Sequence, residues 1–227
     1  MASTPPSSNA TLSRDEILAW PKADLHCHLD GSMRLSTLVD LARRQGKMDQ
    51  LPGSGEEELA EILKSVDDSE TLESYLSWFR YTILVMQTAD ALERIAFELA
   101  EDSAAENVRY LEVRFAPILC TREGLSLDEV LRAVRDGLLR AEKEYPIITR
   151  IIVCGLRDRM ESASLMQAES AVKLRDLGIV AFDLAGGEAG NPPKHHLHAF
   201  YYARNHLLNL TVHAGESWGP DSIRQAL

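Results

Sequence analysis

The sequence predicts an α/β protein built around a parallel β-sheet, and three observations carry the prediction. From Val108 onward, β-like runs alternate with helical patterns, which is how parallel strands joined by crossover helices read. The β-like runs are rich in Val, Ile and Leu, as expected of strands covered on both faces. The unusual polar residues fall at the C-terminal ends of those runs, where ligands of parallel α/β proteins gather.

The opening MASTPPSSNATLSRDE has no apolar h-region, so residues 1–15 read as a disordered tail rather than a signal peptide. The sequon at Asn9-Ala10-Thr11 carries no meaning without secretion. Residues 16–227 read as a portion of one domain. KADLHCHL is the first strand. Ser36 is placed to cap the helix TLVDLARRQ, which Gly46 stops. A polar, glycine-containing stretch leads to a short helix around EEELAEILKSV. In SETLESYLSWFRYTILVM, Leu72, Tyr75, Leu76 and Phe79 recur at i, i+3, i+4 and i+7, one face of a helix. Leu92, Ile95, Ala96 and Leu99 form a similar stripe in ADALERIAFELAEDSAAE. These helices make an insertion over about residues 36–106.

VRYLEVRFAP is the second strand. The helix SLDEVLRAVRDGLLRAEKEY follows, with Ser126 and Glu129 at capping-box spacing. IITRIIVCGL is the third strand, and the helix ESASLMQAESAVKLRDL ends at Gly178. IVAFDLAGG is the fourth strand, PPKHHLHAFYYARNH a helix opened by prolines, and LLNLTVHAGE the fifth strand. PDSIRQAL begins another helix.

Composition narrows the function. The 227 residues are 45% hydrophobic and 26% charged, enough for a sizeable core. A net charge of −11 without a basic block argues against a nucleic acid or an anionic membrane as partner. Cys27, Cys120 and Cys154 are far apart and form no C-x-x-C, which fits reduced thiols in a cytoplasmic protein. No apolar run approaches membrane-spanning length.

His26 and His28 lie on one face of the first strand, with Leu25 and Cys27 on the other and Asp30 in the glycine turn beyond. That pattern suits a metal at a strand end, and equally a pair of hydrogen-bonded core histidines. His213, after the fifth strand, changes the balance. Three neutral imidazoles with an open position make a familiar catalytic zinc shell. Glu216, three residues on, is close enough to move protons without binding the metal.

KADLHCHLDGS, FDLAGGE and TVHAGE, in this order and on these strands, resemble the adenosine deaminases of the amidohydrolase superfamily. RYLEVRFAP and TLESYLSWF fit as well, so the resemblance runs from about Pro21 to the end. An isolated H-x-H is common to many metal hydrolases; H-x-H-L-D-G-S followed by H-A-G-E, 185 residues after His28, is far more specific. The resemblance implies that His26, His28 and His213 hold one Zn²⁺ per chain. It implies that Glu216 protonates the purine ring nitrogen beside the reacting carbon. Asp30 would accept a hydrogen bond from the ribose, His28 would also meet the substrate, and Gly186 would contact the purine through its backbone. Leu72, Tyr75, Leu76 and Phe79 would form a lid, although their spacing alone says only that a helix face packs on something.

The implied reaction is hydrolytic deamination of adenosine and 2′-deoxyadenosine to inosine and ammonia, in purine salvage, with a small-molecule purine nucleoside as partner. Zinc lowers the pKa of a coordinated water from about 15.7 to about 7. Glu216 is then expected to be partly protonated, burial being the usual means. The alternatives are deamination of adenine or another 6-amino purine, and a non-catalytic zinc- or partner-binding fragment. Base deaminases with H-x-E and P-C-x-x-C motifs are a different architecture, and neither motif occurs here. A two-metal relative would want a bridging lysine after FDLAGG, where there is none.

The family fold is a (β/α)8 TIM-type barrel, so five strands predict a truncated barrel. The family's further histidine after the sixth strand and paired aspartates after the eighth have no counterpart before Leu227, which predicts a weakly folded, nearly inactive chain. The family usually has Asp where Gly187 stands, a departure that bears on fine substrate preference. Glu112 and Arg114 share a strand face and read as a structural ion pair. His195, His196 and His198 read as solvated residues on a polar helix, and His206 as surface.

Overall fold

The structure, a computed structural model, describes residues 12–64, 66 and 69–227. Most of the expected N-terminal tail, including the sequon, lies outside the described residues. Inside the tail's expected boundary, helix α1 (Arg14–Ala19) has already begun. Ser13 Oγ accepts from the Glu16 amide at 3.2 Å and the Ser13 amide donates to Glu16 at 2.8 Å, a closed capping box.

Five parallel strands pair in chain order: β1 (Lys22–His28), β2 (Val108–Phe115), β3 (Ile148–Leu156), β4 (Ile179–Ala185) and β5 (Asn209–Leu210). Sequential order with a helix in every crossover is the barrel pattern, in agreement with the five β/α units expected. β5 is only two residues long, yet Thr211 N and His213 N go on donating to Phe182 O and Leu184 O at 3.0 and 3.1 Å. That extension ties His213 to the end of β4.

The helices between β1 and β2 are α2 (Leu35–Arg44), α3 (Glu56–Lys64), α4 (Leu72–Leu76), α5 (Phe79–Val85) and α6 (Ala89–Ala105). Two local expectations change. Ser36 lies inside α2; the cap position is Arg34, which caps through no side-chain bond. The stripe Leu72, Tyr75, Leu76, Phe79 belongs to two short helices rather than one. At the break Ser77 Oγ donates to Ser74 O at 2.7 Å, and the backbone tightens to Trp78 N–Tyr75 O and Tyr81 N–Trp78 O bonds.

Helices α7 (Leu127–Glu144), α8 (Glu161–Lys173) and α9 (Leu197–Asn205) cover the outer face, and α10 (Pro220–Ala226) ends the chain. The Ser126–Glu129 capping box forms as expected, and Gly178 adopts φ +83° after a short 3-10 turn. Leu111, Val113, Ile151, Val153 and Phe182 are fully buried against these helices. Each such side chain contributes about 1.5–3 kcal/mol relative to exposure. A second apolar group, Ala116, Cys154, Leu156 and Ala185, lies at the C-terminal ends of β2–β4. Being buried on both faces explains the unbroken apolar runs. Among the described residues no helix is long and apolar enough to cross a membrane.

Candidate active site

The C-terminal ends of the strands surround a cavity of about 480 Å³. His26 and His28 enter it from β1, side by side because the strand alternates its faces. On the opposite face Cys27 packs against the core, whereas Leu25, on the edge strand, is 55% exposed. His213 arrives from the segment that continues β5. The three Nε2 atoms form a near-equilateral triangle: His26–His213 2.9 Å, His28–His213 3.0 Å and His26–His28 3.2 Å. Among the described residues this is the one group of three or more His, Cys, Asp or Glu side chains with a metal-ligating arrangement.

The triangle fits a divalent cation. Nitrogens bound at about 2.0–2.1 Å to a tetrahedral ion stand roughly 3.3 Å apart, close to what is seen. Three ring lone pairs aimed at one point cannot satisfy one another by hydrogen bonding, so the donor set itself asks for a cation. The proton inventory agrees. His213 Nδ1 lies 2.9 Å from Asp183 Oδ2 without the alignment of a hydrogen bond; the charge of that carboxylate favours the proton on Nδ1, the tautomer whose Nε2 can ligate. Burial, then the neighbouring His213, His26 and Arg114, push the His28 pKa down to about 4. Burial first, then Arg114 and His213, lower that of His26.

Asp183 was not singled out from the sequence. Asp183 is fully buried and also pairs with Arg114 on β2, Nη1 to Oδ2 at 3.0 Å. Arg114 therefore reaches across β3 to β4 instead of pairing with Glu112, which accepts from Tyr110 OH at 2.8 Å. Its other end donates to Leu25 O at 2.7 Å. Buried Arg157 donates to His213 O at 2.5 Å and to Asn191 O at 2.8 Å, fixing the segment behind the third histidine. His196, expected in solvent, is 1% exposed, with Nε2 3.3 Å from Arg157 O. The turn Pro193–His196 packs inward ahead of α9, while His195, His198 and His206 are exposed as expected.

The remaining expected residues line the same cavity. Asp30 faces it with Oδ1 buried and lacking a hydrogen-bond partner, 3.9 Å from His28 Nδ1. Burial, opposed by the amides of Asp30 and Gly31, pushes its pKa up to about 6. Gly186 turns at φ +92°, and a Cβ there would meet Asp158 Oδ1 at 3.3 Å. At Gly187 a Cβ would find open space. Leu72, Leu76 and Phe79 are partly buried and Tyr75 is 44% exposed, all four on the cavity wall. Glu216 lines the cavity too, but it is exposed, against the expectation of burial. Its loop follows β5, an edge strand of the sheet, so packing reaches it from the β4 side.

Comparison with known proteins agrees with this geometry. The adenosine deaminase family model matches residues 21–227. An adenosine deaminase of Mycobacterium avium is 45% identical over 223 residues, covering 96% of this chain and 60% of its own length. The crystal structure of an adenine deaminase from Arthrobacter aurescens superposes with a TM-score of 0.81 at 28% identity, covering 91% of this chain and 61% of that one. An amidohydrolase structure from Burkholderia ambifaria with bound zinc has a TM-score of 0.76 at 27% identity, covering 92% and 57%. The chain thus spans about 60% of the length of the mycobacterial relative. With the family motifs on the strand ends and the match running over nearly the whole sequence, the chain belongs to the adenosine deaminase family.

Proposed function

We propose that this chain carries the metal site and nucleoside pocket of a zinc-dependent hydrolytic deaminase that converts adenosine and 2′-deoxyadenosine to inosine and ammonia, with one Zn²⁺ per chain. The observation that carries the proposal is the triangle of His26, His28 and His213 sharing a cavity with Glu216. When bound, the ion supplies a water activated for attack at neutral pH. The three imidazoles hold the ion, and Asp183 keeps His213 in the ligating tautomer. Glu216 delivers a proton to the ring nitrogen beside the amino-bearing carbon, draining charge that would otherwise build there. Asp30, with its unpaired buried oxygen, accepts a hydrogen bond from a ribose hydroxyl. Gly186 lets the backbone approach the purine edge, while Leu72, Tyr75, Leu76 and Phe79 cover its face. Residues 16–227 act in this reading as one part of a single barrel domain.

Deamination of free adenine is the second reading, favoured by the likeness to the Arthrobacter enzyme. The experiment is to load the chain with zinc, measure metal stoichiometry, and compare turnover of adenosine and adenine. One zinc per chain with adenosine preferred supports the proposal. Adenine preferred selects the second reading, and a chain that binds zinc but turns over neither purine is a binding fragment.

A further inference from the structure

Glu188 closes the motif FDLAGGE and does not line the histidine cavity, yet it is 3% exposed. Its Oε1 accepts from the Gly215 amide at 2.7 Å, and its Oε2 from the amides of Ser217 and Trp218 at 2.6 and 2.9 Å. Ser217 Oγ is 3.5 Å from Oε2, and the buried Ser222 hydroxyl of α10 donates to Oε1. The three amides bracket Glu216 on both sides. The Glu216 side chain is itself exposed, so its aim has to come from the backbone that carries it.

We infer that Glu188 is a positioning residue for Glu216: one buried carboxylate gathers the amides on either side of Glu216 and turns its side chain toward the histidine cluster. The inference rests on the reading of Glu216 as the proton donor. A carboxylate is the group this loop needs. It offers about four acceptor lone pairs and no donor, whereas a glutamine in its place keeps two acceptor sites and turns an NH₂ against amides that also donate. The contacts keep the group ionised as well. Burial works to raise its pKa, but the Ser222 hydroxyl and the amides of Ser217, Gly215 and Trp218 outweigh it and hold the value at about 2. His213 has its own supports in Asp183, Arg157 and Leu184 O, so the metal ligands do not depend on the clamp.

The test compares Glu188→Gln, Glu216→Gln and the double variant in the zinc-loaded full chain, reading kcat, KM and zinc affinity. Glu188→Gln is expected to lower kcat by about tenfold or more, a share of the 10²–10⁴ that a positioned acid contributes. KM and zinc affinity should stay near those of the unmodified chain. In the Glu216→Gln background the same substitution should cost nothing further, because two residues acting as one unit are not additive. An equal loss in both backgrounds, an unchanged kcat, or loss of zinc affinity in step with activity would overturn the inference. If Glu188→Gln does not fold, Ser222→Ala takes its place with the same pattern at smaller amplitude. If the unmodified chain deaminates no purine, it is the binding fragment named above and kcat gives no reading. The clamp is then decided by amide hydrogen exchange at Gly215, Ser217 and Trp218, expected to quicken at least about tenfold in Glu188→Gln while α6 is unaffected. Equal protection in both proteins would refute it.

Discussion

Replacing Asp183 by Asn tests whether one buried carboxylate serves both the sheet and the metal site. Asp183 is fully buried, and its Oδ2 meets Arg114 at 3.0 Å and His213 Nδ1 at 2.9 Å. Burial works against the charge, but His213 and Arg114 outweigh it and keep the Asp183 pKa below its ordinary value. The substitution leaves the Arg114 guanidinium, 3% exposed, without a counter-charge. Breaking a buried pair in this way costs about 3–5 kcal/mol. The lower end applies here, since Asn can still accept one hydrogen bond and Leu25 O keeps its own. The same oxygen meets both partners, so the alternative Asn orientation gives up the bond to Arg114 and presents its NH₂ to His213 Nδ1, which moves the ring proton to Nε2 and opposes ligation. Loss of such a partner lowers metal affinity about 10–100-fold. Urea unfolding of the metal-free chain reads the first effect, and zinc titration against a competing chelator reads the second. Adding Arg114→Met removes the stranded charge and should restore most of the stability while leaving the zinc affinity low. A single variant with unchanged urea midpoint and unchanged zinc affinity would refute the reasoning, as would a double variant that recovers both together.

Further outcomes follow from other sites. The His28 pKa falls from its ordinary 6.5 to about 4 on folding, so the folded metal-free chain binds that proton less readily than the unfolded one. Its contribution to stability is therefore complete above pH 6.5 and is lost as pH drops through about 4; His28→Asn should flatten the urea midpoint over that window, and an unchanged slope would contradict this. Gly137→Ala would place a Cβ 2.1 Å from Glu93 O where α7 crosses α6, and should cost about 1–3 kcal/mol in thermal unfolding. An unaltered Tm would mean the two helices can separate there. Leu76→Ala, on the cavity wall, should raise KM for adenosine with little change in Tm; an unchanged KM with a lowered Tm would assign Leu76 to packing.

The expected fold and the residues of the histidine cluster were legible because both rest on short-range patterns. A strand's alternation puts His26 and His28 on one face, and a parallel sheet brings every strand's C-terminal end to the same rim. His213 and Glu216 were therefore placed on that rim once LLNLTVHAGE was read as the next strand, and the curvature of the sheet from β1 to β5 carries them across to the histidine pair. Glu188 was present in the motif but read as a loop signal, since nothing in its spacing says which amides it would collect.

The sequence by itself determined five parallel strands and which residues stand at their C-terminal rim, consequences of strand–helix alternation and of periodicity two within a strand. Only the tertiary structure decided partners. Arg114 shares a face with Glu112 two residues away, yet it pairs with Asp183, 69 residues distant, because β2 and β4 flank β3 and both side chains meet in a space without water. His196 is buried for the same kind of reason: the Arg157 carbonyl happens to lie beneath it. A buried charge or hydroxyl takes whichever acceptor the packed fold sets within about 3 Å, and that distance is a property of space rather than of the chain.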